Sequence, residues 1–235
     1  MAVRLLRTGL GVRAAALALL APSALAAAPP AGAAVGSGSP QRDIGYWGGY
    51  GAHGAFDSAQ ASWTVAEVSC RTHYEAYSTW VGMDGDGSQY LERTGVLTGC
   101  ATGEPQYQAW YEVSFGHAVY YDDPVSAGDE FTASVTADGS MFTLTITDET
   151  KGWTESATTS VPSAPKAAAE AVISNIPGEG YPTIASVRFT DVTFDGRPLD
   201  SFSDLQKYKT RRGSSTIYAP TKIRHHTDFA VKPIN

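Results

Sequence analysis

Apolar and polar residues alternate strictly in two neighbouring stretches of this chain. Phe131, Ala133, Val135 and Ala137 interleave with Thr132, Ser134 and Thr136, and Phe142, Leu144 and Ile146 interleave with Thr143, Thr145 and Thr147. Successive side chains of a strand point to opposite faces, so each run predicts a half-buried β-strand. Asp138-Gly139 between them predicts a tight hairpin. Shorter runs predict strands at 61–65, 107–113, 184–194 and 228–232. Turn residues separate them, among them Gly85 and Gly87, Gly103 and Pro105, Pro124 and Gly128, and Gly196 and Pro198. Many short strands with this punctuation predict a sandwich or barrel. One segment disagrees. Pro165-Lys166-Ala167-Ala168-Ala169-Glu170-Ala171-Val172 has high helix propensity and by itself predicts a short helix.

The first residues carry a different pattern. Arg4, Arg7 and Arg13 form a basic head, residues 14–25 are apolar, and Ala24-Leu25-Ala26 is a small-residue cleavage site. This reads as a signal peptide over 1–26, and it predicts a secreted, extracellular protein. Ala31-Gly32-Ala33 offers a second cleavage site. The apolar run falls short of the ~20 residues that span a bilayer, so no membrane association is expected once the signal is removed. Residues 27–43 are rich in Ala, Pro, Gly and Ser without an apolar period, and predict a disordered leader. Residues 44–235 remain, enough for one all-β domain. A monomer is expected.

Charge narrows the choice of partner. The chain has 17 Lys and Arg against 24 Asp and Glu. Three of the 17 are the signal arginines, which leaves 14 and a net charge of −10. Nucleic acid is therefore not an expected partner. From Arg197 onward the balance reverses, with eight Lys and Arg against three Asp. That basic segment is expected to lie against the acidic body, the alternative being a polymer-binding tail.

Cys70 and Cys100 are the two cysteines. In an exported chain they predict one disulfide. A loop of this length is worth about 3–4 kcal/mol in the chain-entropy model. Two cysteines do not make a structural zinc site, and the five histidines lack the spacing to complete one. No metal and no cofactor are expected. Asp84-Gly85-Asp86-Gly87 lacks the later ligands of an EF-hand and predicts a tight turn. A Gly-x-Ser-x-Gly elbow and a His-Glu-x-x-His pair are both missing from the sequence.

A more specific pattern runs through the whole of 44–235. Its parts are Tyr46-Trp47-Gly48-Gly49-Tyr50, Ala61-Ser62-Trp63-Thr64-Val65, Ser78-Thr79-Trp80-Val81-Gly82-Met83-Asp84-Gly85, Glu92-Arg93-Thr94-Gly95, Tyr107-Gln108-Ala109-Trp110-Tyr111-Glu112 and Ala169-Glu170-Ala171-Val172-Ile173. In order and spacing these resemble the bacterial glutamic peptidases, the eqolisins. The resemblance implies an antiparallel β-sandwich of two large bent sheets, concanavalin-like, with a polypeptide-binding groove on the concave face. It also implies that 165–172 is a strand rather than a helix. The family's chemistry is hydrolysis without metal or covalent intermediate. A glutamate activates water, and a glutamine amide positions that water and stabilises the oxyanion. Carried over by position, the glutamate is Glu170 and the glutamine is replaced by Arg93. Substrate contacts would fall to Trp47, Trp80, Asp84, Tyr111 and Glu112. The aromatic residues read equally as core, Asp84 as a turn residue, and Glu112 as groove-facing or solvent-facing.

Arg93 changes the expected chemistry. If it faces Glu170 as the family's pair does, the guanidinium lowers the carboxyl pKa by ~1–3 pH units and occupies the base. The larger side chain would also fill the place of the attacking water. Two functions remain open on these grounds: a glutamic endopeptidase with impaired or altered hydrolysis, and a non-catalytic module that holds polypeptide in the same groove. A carbohydrate-binding sandwich is a weaker third, resting on fold analogy alone.

Overall fold

The computed structural model describes residues 45–176 and 178–234. The signal peptide and leader expected at 1–43 lie outside the described residues. In chain order the first strands are β1 (Trp47–His53), β2 (Ser58–Thr64), β3 (Val68–Ser69), β4 (Ala76–Met83), β5 (Glu92–Gly99), β6 (Gln106–Glu112) and β7 (Val119–Tyr120). The next are β8 (Glu130–Asp138), β9 (Met141–Asp148), β10 (Trp153–Ser160), β11 (Ala168–Asn175), β12 (Thr183–Ile184), β13 (Val187–Phe194) and β14 (Arg197–Pro198). A single 3-10 turn at Leu199–Ser201 precedes β15 (Leu205–Tyr208), β16 (Thr210–Arg212), β17 (Ser215–Pro220) and β18 (Phe229–Pro233). No α-helix occurs among the described residues.

Two antiparallel sheets stack face to face. The seven-stranded sheet has the order β15-β1-β11-β4-β5-β6-β7. The other runs β10-β9-β8-β2-β13-β18-β17-β16, with β14 beside β13. Period-two alternation builds the core between them. Ala59, Ala61 and Trp63 of β2, Phe131, Ala133 and Val135 of β8, and Phe142, Leu144 and Ile146 of β9 meet Tyr77, Val81, Met83, Ala169, Ala171 and Ile173 of the first sheet. Trp63 stacks on Phe131 with ring centroids 6.0 Å apart. The expected β8–β9 hairpin is present, closing at Asp138 opposite Met141, with Gly139 at φ 58 in the turn.

The alanine-rich segment is strand β11, not a helix. It pairs with β1 on one side and β4 on the other along its whole length. Ala169 and Ala171 are fully buried against the second sheet. Small side chains there let the two sheets approach, and tertiary pairing overrides local propensity. The disulfide Cys70–Cys100 is formed, with Cα atoms 5.6 Å apart. The basic segment is woven into both sheets: β15 pairs with β1, and β18 pairs with β13. Backbone pairing ties it down. Lys207, Lys209, Arg211, Arg212, Lys222, Arg224 and Lys232 make no ion pair among the described residues.

Candidate active site

Strand register aligns three rows across the outer face of the seven-stranded sheet. One row is Gly51, Glu170, Gly82, Arg93 and Glu112. The next is Gly49, Val172, Trp80, Gly95, Trp110 and Tyr120. The third is Trp47, Ser174, Ser78, Leu97 and Gln108. Because alternate residues share a face, all three rows point away from the inter-sheet core. Trp47, Trp80, Trp110, Val172 and Tyr208 form a second apolar cluster there, separate from the main core. The Trp47 and Trp80 rings meet edge-on at 4.9 Å, and Trp80 Nε1 donates to Ser174 Oγ at 2.8 Å.

Glycines make room for these groups. A Cβ at Gly82 would lie 2.9 Å from Arg93 Cβ and 3.0 Å from the Trp80 ring. One at Gly51 would lie 2.8 Å from the Tyr208 ring. Gly82 therefore has no side chain between Glu170 and Arg93, and Arg93 Cβ and the edge of the Trp80 ring close over its backbone. The two flank β4 from either side, Glu170 on β11 and Arg93 on β5. Adjacent strands lie ≈ 4.8 Å apart, so their Cα atoms are roughly 10 Å apart.

Glu170 is completely buried. The β4–β5 loop folds over it, and the Asp86 amide donates to Oε1 at 2.9 Å. Oε2 is buried without a hydrogen-bond partner. Burial pushes the carboxyl up to about 8; the amides of Asp86 and Gly85 oppose the rise, and the carboxylates of Asp86 and Asp84 add to it. The loop itself is pinned through Asp86. Its Oδ2 accepts from Tyr208 Oη at 2.8 Å and lies 2.9 Å from His53 Nε2. Burial, then the charges of Glu170 and Asp86, hold the Tyr208 hydroxyl far above its ordinary range.

Arg93 turns away from Glu170. Its Nε and Nη2 donate to Glu112 Oε2 at 3.0 and 2.7 Å. Its Cζ sits 5.1 Å from the centroids of both the Trp80 and Trp110 rings, a cation between two π faces. The expected Arg93–Glu170 clamp is therefore absent. The arginine has a nearer, more exposed carboxylate and two aromatic faces on that side. Beside this pair opens a pocket of about 390 Å³, whose walls include Trp47, Leu91, Leu97, Trp110 and Tyr120, with Arg93 and Glu112 among its lining residues.

Two of the expected substrate contacts face elsewhere. Tyr111 aligns with Thr94 and Val81 on the opposite side of the sheet and packs against the inter-sheet core and Tyr121. Asp84 is fully buried, and its carboxylate accepts the amides of Lys166 and Ala167 at 2.7 and 2.6 Å. Asp84 thus ties the β4–β5 loop to the chain entering β11. Asp84 also sits at φ 71, a left-handed conformation that aspartate adopts more readily than most residues. Behind the sheet, Glu92 is buried and pushed up to about 7 by burial, with Ser114 Oγ bonded to its Oε1. Trp47, Trp80 and Glu112 do lie on the face that carries Glu170. Sequence reasoning did not single out Trp110, Tyr208, Asp86 or His53. Trp110 stood inside a matched motif. Tyr208 is 122 positions from the Asp86 it binds and carries no local signal.

The sequence profile of the Peptidase A4 family matches residues 45–224. A solved structure of scytalido-glutamic peptidase with a transition state analog inhibitor superimposes with a TM-score of 0.70 at 25% identity, covering 80% of this chain and 98% of that one. SCP-B, a member of the eqolisin family solved in complex with the tripeptide Ala-Ile-His, gives a TM-score of 0.64 at 27% identity, with the same coverage. Aspergilloglutamic peptidase from Aspergillus niger shares the fold, with a TM-score of 0.60 at 22% identity over 68% of this chain and 99% of that one. Among curated proteins, none matches.

Proposed function

The chain belongs to the Peptidase A4 family, the glutamic peptidases, and from that premise we propose that it is an exported protein that holds extended polypeptide on the outer face of its seven-stranded sheet and hydrolyses it poorly in acid. Glu170 carries this reading. A general base must be ionised and must meet its water. This carboxyl is sealed under the β4–β5 loop, and its pKa stands at about 8. At acid pH such a group holds its proton. The neutral amide that the family sets beside its glutamate is replaced by Arg93, whose Nε and Nη2 are turned to Glu112. An oxyanion donor out of place costs on the order of 10²–10³ in rate.

Polypeptide binding is favoured by the pocket. Its size and its walls of Trp47, Leu91, Leu97, Trp110 and Tyr120 suit a bulky apolar side chain projecting from an extended segment. The test is a digestion assay on denatured, reduced protein from pH 3 to pH 9, paired with tryptophan-fluorescence titration by the same substrate. Binding without cleavage below pH 5 is expected. Arg93→Gln should raise cleavage at least tenfold, and Glu170→Ala in that background should abolish it. Efficient cleavage by the natural protein in acid refutes the impairment, and absence of both binding and cleavage refutes the groove.

A further inference from the structure

Arg93 has a carboxylate in each direction along its row. Glu112 lies on the next strand, β6, and Glu170 lies two strands the other way, beyond the bare backbone of Gly82. The two acids differ in state. Glu112 is about a quarter exposed and already ion-paired. Glu170 is buried, and one of its oxygens has no partner. The grip of Glu112 is also one-sided. Both hydrogen bonds from Arg93 reach the same oxygen, Oε2. A long flexible side chain with two available acceptors on one face takes whichever lowers its free energy, and loss of one partner hands it to the other.

We propose that Glu112 is a positioning residue that parks Arg93 between Trp80 and Trp110, and that removing the charge of Glu112 turns the guanidinium across Gly82 onto the unpartnered oxygen of Glu170. The proposal rests on the reading of Glu170 as the reacting carboxyl of this site. The groups around Glu170 say what the turn would do. Asp84 and Asp86 face it from the β4–β5 loop, Tyr208 from β15, and His53 of β1 stands behind Asp86. Its carboxylate neighbours favour the protonated form. Arg93 is the cation of the row, and a guanidinium within hydrogen-bond reach favours the ionised form. The parked state therefore keeps Glu170 neutral, and the engaged state ionises it. In the engaged state the remaining N–H groups of Arg93 would lie over Gly82, where developing negative charge on a bound carbonyl would meet them.

The experiment follows Glu170 itself, by the carboxyl ¹³C shift of labelled glutamate from pH 4 to pH 10. It compares the natural chain with Glu112→Gln, with Arg93→Gln, and with the double variant, each checked for an unchanged fold by circular dichroism. Deleting the Glu112 charge alone lowers the Glu170 midpoint a little, so Arg93→Gln and the double variant isolate that effect. Glu112→Gln should lower the midpoint by more than one pH unit and change tryptophan emission, as the cation leaves the two rings. The extra drop should vanish in the double variant. Glu112→Asp keeps the charge at shorter reach and should give an intermediate midpoint, which serves if the glutamine variant folds poorly. A midpoint unmoved by Glu112→Gln, or lowered equally whether Arg93 is present or not, overturns the proposal. A midpoint that moves as expected while Glu170→Ala leaves cleavage in the Arg93→Gln background unaffected upholds the positioning role and overturns the reading of Glu170 as the reacting group.

Discussion

Glu170→Gln should make this protein more stable at alkaline pH and leave it nearly unchanged in acid. The carboxyl titrates near 4.5 in the unfolded chain and near 8 in the folded one, chiefly because burial disfavours its charge. Between those values the folded state holds a proton that the unfolded state has released. Stability from this group is then fully present below about pH 4.5 and is lost as pH rises through 8. Each pH unit between the two midpoints corresponds to about 1.4 kcal/mol, so the span amounts to about 5 kcal/mol as an upper figure. For a domain of this size that is a fall of roughly 10–20 °C in melting temperature. Glutamine has the shape of the protonated acid and still offers an oxygen to the Asp86 amide, but it does not ionise. The assay is thermal melting by circular dichroism at pH 5, 7 and 9 with the disulfide intact. The natural protein should lose stability across this range, and Glu170→Gln should lose markedly less. Some slope remains, because Glu92 is also pushed up, to about 7. Parallel curves for the two proteins would show that Glu170 is hydrated and ordinary, and the reading of a sealed carboxyl would fail.

Any residual hydrolysis by the natural protein should rise with pH toward about 8, since the ionised form of Glu170 is the base; a rate that falls from pH 4 to pH 8 would point to another group. Replacing Cys70 and Cys100 by serine should cost about 3–4 kcal/mol, read as a lower urea midpoint, because the 30-residue loop they close regains its freedom in the unfolded chain. Asp84→Ala leaves the amides of Lys166 and Ala167 without their acceptor and should cost about 1–3 kcal/mol, with faster amide exchange at those two positions. Deleting residues 205–235 removes β15 from β1 and β18 from β13; the exposed edges should aggregate or melt many degrees lower, and an unchanged melting temperature would show that these strands are dispensable.

Alternation and the order of motifs were enough to read several of the strands and the family. Alternation at 131–137 and 142–147 reads directly as β8 and β9, because period two is a local property of a half-buried strand. The cysteine pair was legible for the same reason that it is simple, with no competing thiol. Spacing also placed Glu170 and Arg93 in matched motifs, and register puts them in one row. What alternation leaves open is which of two faces a residue takes. Tyr111 and Glu112 are neighbours, so one had to face the core and the other the outer surface. Only the stacked second sheet decided that Tyr111 faces inward. Ala168–Asn175 has local helix propensity, and pairing on both sides made it a strand, since the backbone bonds of β1 and β4 come from segments distant in sequence. Asp84, read from its glycine neighbours as a turn residue, holds that turn by bonds to amides 82 and 83 positions away. The direction of Arg93 was likewise a tertiary choice. A flexible cation is placed by a balance of attractions, and here Glu112 and Trp110 of β6 and Trp80 of β4, on strands that flank β5, outweigh a buried carboxyl that keeps its proton.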